Sequence, residues 1–187
     1  MNSIIKTIRP AFLSLLVFTV LGGGVYTLSI TGLAQVFFPN EANGSLVEVT
    51  LEDGTQQVVG SEFIAQEFTS PEYLIGRPMW ETNLSPDSAE LSELRQERIE
   101  WLTTMDPQNE QEIPADLVSG SGSGVDPHIS TAAASFQIER IAAERNIDQA
   151  EVEEIIDRHT TSRFLGFWGE PGVNVLMVNL DLDGLLD

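Results

Sequence analysis

From Pro10 to Asn40 the chain runs for 31 residues without a charged side chain, and its heart, AFLSLLVFTVLGGGVYTLSITGLA at 11–34, is 24 residues long. At about 1.5 Å per residue such a helix covers roughly 36 Å, enough for a hydrocarbon layer about 30 Å thick. A single transmembrane helix is therefore expected over 10–38. Lys6 and Arg9 are the only charges before Glu41, so the positive-inside rule assigns 1–9 to the cytoplasm and 41–187 to the outer side. A cleaved signal peptide is the competing reading, with Gly32-Leu33-Ala34 offering small residues before Gln35. Signal peptides have apolar regions of about 7–15 residues, so a retained anchor is expected. Thr19, Gly23, Thr27 and Thr31 recur every fourth residue, beside Gly22 and Gly24. On an α-helix they form a small-residue ridge suited to close docking on another helix in lipid.

Charge divides the chain sharply. Its 29 acids all follow Asn40, where only seven arginines and no lysine oppose them, so that part carries −22 of a net −20 for the whole. Affinity for nucleic acid comes largely from cations neutralising phosphates, so a nucleic-acid partner is excluded. Dense acids of this kind suit a salty medium or the attraction of cations. The absence of cysteine excludes a disulfide scaffold and thiolate metal sites.

The outer part reads as one mixed α/β domain, giving an α+β class overall. SLVEVTLEDGTQQVVG at 45–60 places Asp53-Gly54 between two β-rich runs, a hairpin signal. SEFIAQEF at 61–68 reads as a short helix. A second helix follows, with Ser85 as cap, Pro86 in the first turn, and Leu91, Leu94, Trp101 and Leu102 near one face. After a proline-punctuated loop, 131–146 and 148–163 read as two helices, the first capped by Ser130 or Thr131 and the second bearing Val152, Ile155, Ile156 and His159 on one face. Leu176, Val178, Leu180 and Leu182 alternate, which predicts a terminal strand.

The stretch LVSGSGSGVDPHIS, Leu117 to Ser130, invites a chemical reading. A phosphate-binding P-loop needs a lysine after its glycines, and the only lysine is Lys6. A dinucleotide fingerprint starting at Gly120 and Gly122 would need its third glycine at Val125. A nucleophile elbow needs a serine midway between glycines four apart, a position that Ser119, Ser121 and Ser123 never occupy. Asp126, His128 and a distant His159 make too few ligands for zinc. No catalytic and no metal residue is assigned. The glycines can open N–H groups toward an oxyanion or pack tightly against a neighbour, and Asp126-Pro127-His128 turns into the next helix. A docking loop of Ser121, Ser123, Asp126, Pro127 and His128 is expected. Within it Gly122 should be intolerant of valine, and Ser121 and Ser123 tolerant of alanine.

Several stretches together carry a family resemblance: GSEFIAQEF, RPMW, IPADLVSGSGSGVDPHIS, IERIAAERN and HTTSRFLGFWGEPGVNVLMVNLDL, behind an N-terminal span. In these the chain resembles the KdpC family, a component of the Kdp-type potassium-transporting ATPase, over essentially its whole length. It departs from the family's pattern in having Trp80, Glu81 and Thr82 before Asn83-Leu84, and Gly172 after Gly-Glu-Pro. The resemblance implies an accessory subunit of a high-affinity ATP-driven potassium importer in the cell (inner) membrane. Its implied partners are a channel-like potassium-translocating subunit, a P-type catalytic subunit and a small single-span subunit. The resemblance also implies a catalytic chaperone that raises the pump's affinity for ATP, with ATP shared with the catalytic subunit; Gly120, Gly122, Gly124, Arg140 and Arg163 are then the candidate nucleotide contacts. The pump's phosphorylation sequence, Asp-Lys-Thr-Gly, is absent here, so hydrolysis is expected in a partner. An independent membrane-anchored surface hydrolase or binding module is the alternative, and it would purify alone.

Overall fold

The structure, a computed structural model, describes residues 2–51, 53–80 and 83–186. It divides into two units, one up to Ser45 and one from Leu46 onward.

In the first unit, helix α1 (Asn2–Phe18) runs through a π-helical stretch (Thr19–Tyr26) into α2 (Thr27–Phe37). Lys6–Phe37 is long and apolar enough to cross a membrane. Pro10 lies within α1 instead of opening the helix. Phe38 leaves the helix at φ −139, as a residue before proline tends to, and Pro39 starts the single turn α3 (Pro39–Ala42). The π stretch coincides with Gly22-Gly23-Gly24, where the backbone is least constrained. The Thr27 hydroxyl donates to the Gly22 carbonyl, five residues back, at 2.9 Å.

The second unit opens with the hairpin of β1 (Leu46–Thr50) and β2 (Gln56–Ser61). Its turn holds Gly54 at φ +81, and the Asp53 carboxylate accepts from the N–H and hydroxyl of Thr55. Residues 61–68 are not the expected helix: after a turn at Ser61 the chain is extended, because its partners lie elsewhere in the fold. Ala65 N–H donates to the Val125 carbonyl at 2.9 Å, and the Gln66 amide donates to Val59 O at 2.7 Å.

Helix α4 (Ala89–Met105) is capped by Ser88, whose hydroxyl accepts from Leu91 N–H. Ser85, the expected cap, instead accepts the Ser88 N–H across the preceding turn. A 3-10 turn at Ala115–Leu117 leads to β3 (His128–Ile129) and α5 (Thr131–Ser135), which Ser130 caps. The single helix expected over 131–146 is broken at Phe136-Gln137 into α5 and α6 (Ile138–Arg145). Asp148 caps α7 (Gln149–Arg158), which is followed by β4 (Thr160–Thr161), β5 (Gly172–Asn174) and α8 (Val175–Leu182). β5 is the central strand of an antiparallel sheet, pairing Val173 with both Ile129 and Thr160.

The expected terminal strand is thus a helix, started where Asn174 Oδ1 accepts from Met177 N–H. The misleading alternation has a physical cause. Val175 and Val178 enter the main core with Leu74, Ile141 and Val152, whereas Leu176 and Leu180 pack with Val49 of the hairpin. A helix buried on two faces loses the one-sided stripe by which helices are recognised.

Residues 71–77 cross this core without regular structure, so their backbone groups need side-chain partners. Asn179 brackets Leu74, accepting from its N–H at 2.8 Å and donating to its carbonyl at 2.9 Å. Gln137 does the same for Ile75 at 2.9 and 3.0 Å. Arg145 donates to Glu72 O and Arg98 to Gly76 O. The break before α6 sits at the residue that makes the Ile75 bracket.

Candidate docking face

The Ser-Gly stretch is closed on itself. Leu117 is fully buried and anchors its start. Ser119 donates to Ala115 O; Ser121 Oγ accepts from Asp126 N–H and lies 3.3 Å from Ser123 Oγ, which accepts from Val125 N–H. Asp126 accepts from His128 N–H at 3.0 Å, with His128 Nδ1 3.4 Å from the same oxygen. Pro127 O takes the Val175 N–H at the head of α8. Asp116 accepts from both the N–H and the hydroxyl of Ser130, holding the start of α5.

The glycines play unequal parts. Gly124 has φ +75 and closes a turn onto Ser121 O. At Gly120 an added Cβ would lie 2.6 Å from Trp80 Nε1, so the indole needs the bare backbone there. Gly122 faces open space and has no positive φ. Within the chain itself, the positions whose packing or φ requires glycine are therefore Gly120 and Gly124, and Gly122 is left facing outward. Ser121, expected to be replaceable, is buried and bonded.

Of the candidate nucleotide contacts, both arginines already have partners within the chain. Arg140, on α6, is buried, donating to the carbonyls of Pro71 and Tyr73 and to Gln137 Oε1; burial lowers its pKa. Arg163 sits on another loop, 2.6 Å from Glu170. His128 and His159 are likewise engaged separately, the latter with Asp181 at 2.7 Å. In the apolar N-terminal helix, Thr19, Gly23, Thr27 and Thr31 meet a change of winding. With i→i+5 bonding, residues four apart fall short of a full turn, whereas on an α-helix they pass it.

Beside the loop lies an open cleft of about 580 Å³. Its acids are Glu62, Asp116, Asp126 and Glu170, opposed by Arg77 and His128. Arg77 Nη2 donates to Gly120 O at 3.4 Å, while its Nε is buried with no partner among the described residues. Arg98 supports the loop from the other side, donating to Leu117 O at 3.1 Å and lying 4.3 Å from the Trp101 ring centroid. Burial pushes the Arg98 guanidinium down to about 10, although nearby Glu67 acts in the opposite sense.

At the cleft's rim, between β4 and β5, the chain projects a tip that residue-level reading did not single out. Phe164, Leu165, Phe167 and Trp168 are each 70–72 % exposed. The tip is nevertheless ordered: Phe164 and Trp168 exchange backbone hydrogen bonds at 2.8 and 3.0 Å, and Leu165 takes φ +53 followed by Gly166 at +81.

Residues 8–184 match the family model described as "KdpC: K+-transporting ATPase, c chain". The chain belongs to the KdpC family. A potassium-transporting ATPase KdpC subunit of Listeria monocytogenes serovar 1/2a (strain ATCC BAA-679 / EGD-e) is 52% identical over 180 residues, covering 95% of each chain. The corresponding subunit of Clostridium perfringens (strain ATCC 13124) is 49% identical over 200 residues, covering 97% of this chain and 98% of that one. That of Clostridium botulinum (strain Alaska E43 / Type E3) is 43% identical over 201 residues with the same coverage. Membership makes the chain an accessory subunit of a membrane potassium pump, with other subunits as partners.

Proposed function

We propose that this chain is a non-hydrolysing assembly subunit, anchored by 10–38, with 1–9 in the cytoplasm and the domain 41–187 outside. It holds the channel-like potassium-translocating subunit and, through it, the P-type catalytic and small single-span subunits. The observation that carries this reading is the Ser-Gly loop. Its hydroxyls and carboxylates mainly bind the loop's own backbone, which builds a shaped surface. The charge asymmetry around the span supports the topology, and 29 acids beyond it supply a field that favours cations near the outer mouth of a potassium path.

A chaperone effect on ATP affinity is part of the same proposal, exerted through assembly and the span. Direct contact by Arg140 is disfavoured because its donors already serve backbone carbonyls. The helix change at Gly22–Gly24 gives the span a close-approach surface for a partner helix. Gly23→Leu is expected to weaken co-purification with the pump.

Topology is tested with cysteines at Ser3 and at exposed Gln57, probed on intact cells with an impermeant thiol reagent. Labelling at 57 alone is expected; labelling at 3 alone overturns the orientation. Adding the purified full chain to pump lacking it should raise ATP affinity without new hydrolysis by the chain itself. Hydrolysis by the chain alone would end the non-catalytic reading.

A further inference from the structure

The tip at 163–169 combines three properties. It is apolar and exposed: two phenylalanines, a leucine and a tryptophan stand in solvent, and contiguous apolar surface of this kind marks an interaction site. It is ordered in advance. The Phe164–Trp168 bridge closes it, Gly166 N–H bonds back to Arg163 O, and the Arg163–Glu170 pair and the β4–β5 ladder clamp its base. Leu165 is held in the left-handed region, an uncommon conformation for a residue with a side chain. Third, acids outnumber cations around its base: Glu170, paired with Arg163, shares the cleft with Glu62, Asp116 and Asp126, opposed there by Arg77 and His128.

We propose that this tip is the anchor by which the outer domain docks on another subunit of the same pump, entering an apolar pocket whose rim is basic. The proposal rests on the assembly role argued above and names the element that performs it. Large aromatic side chains in a fixed arrangement lose little entropy on binding and are the usual hot spots of interfaces. The acids at the base set the charge of the partner's rim, because like charges facing each other oppose docking. Exposed Phe63 lines the same cleft as Glu170 and extends the apolar surface toward the loop. A lipid surface fits less well: seating the tip there would press the carboxylates at its base against headgroups that carry negative charge.

The test uses the complete pump in membranes, with an affinity tag on another subunit. Phe167→p-benzoylphenylalanine, and separately Glu151→p-benzoylphenylalanine on exposed α7, are irradiated. Position 167 is expected to give an adduct with another pump subunit, position 151 none, and an added Trp168→Asp should remove the adduct. The double change Phe167→Asp/Trp168→Asp should weaken retention of the chain by roughly tenfold or more, the loss typical when a hot spot is removed, with an unchanged melting temperature. An adduct only with phospholipid, only with a second copy of this chain, or with no protein while the chain still co-purifies would overturn the tip proposal and leave the assembly role standing. Failure of the unsubstituted chain to co-purify would overturn both.

Discussion

The Ser-Gly loop and the tip at 163–169 invert what their sequences advertise. The loop looks like chemistry, with alternating serine and glycine, an aspartate and a histidine, yet its polar groups bind its own backbone. The tip looks like core, with Phe-Leu-Gly-Phe-Trp, yet it stands in solvent. The difference teaches that residue type reports what a segment is able to bury or bond. The partner actually met depends on the elements around it. Changes in the loop should therefore act on stability, and changes in the tip on association.

The strongest challenge to that contrast is Arg98→Met, which removes the donors to Leu117 O and Gly76 O. Hydrogen bonds to charged groups contribute about 1.5–3 kcal/mol each at most, so a loss of about 3 kcal/mol is expected in chemical unfolding of the full chain. A loss near zero would show that the loop is not held from α4. Because burial lowers the Arg98 pKa to about 10, the unfolded chain holds this proton more tightly. Below about 10 both states hold the proton and the desolvation cost of the charged form is constant; it is relieved only as pH rises from about 10 toward the unfolded value, so Arg98 adds no slope between pH 6 and 8. A slope there that disappears in Arg98→Met would contradict the shift.

Gly120→Val comes next. Overpacking against Trp80 should cost about 1–3 kcal/mol, read as a lower melting temperature with altered Trp80 fluorescence. Ser121→Ala should cost about 1 kcal/mol, because the part-buried Asp126 N–H loses its acceptor. If Ser121→Ala were silent while Gly122→Val was destabilising, the account of the loop would be reversed. The smallest stability effects belong to Gly122→Val and Trp168→Ser, both within about 0.5 kcal/mol as expected of exposed sites. For Trp168→Ser the contrast sharpens, since retention in the pump should fall while stability holds.

Features with a local cause were legible. The long apolar helix followed from uninterrupted apolarity, the hairpin from Asp53-Gly54, the α5 cap from Ser130, and α7 from its one-sided stripe. Family membership was legible in the motif blocks, which need no geometry to be recognised. Misreadings occurred where distant partners decide the local state. Residues 61–68 carry a helical composition but hydrogen-bond to Val125 O and Val59 O. At 175–182 a helix sandwiched between two clusters imitates a strand.

By itself, then, the sequence determined a charge-free span followed by an acidic mixed α/β domain of the KdpC family, because hydropathy, turn chemistry and net charge are sums over neighbouring residues. Only the tertiary structure decided that Asn179 and Gln137 bracket Leu74 and Ile75, that Arg140 serves carbonyls in place of a ligand, and that four apolar side chains are left outside. The physical reason is that a backbone group crossing a core must find a donor or acceptor wherever the fold supplies one. The Asn179 amide meets Leu74 from 105 positions away along the chain, and no local pattern encodes such a pairing.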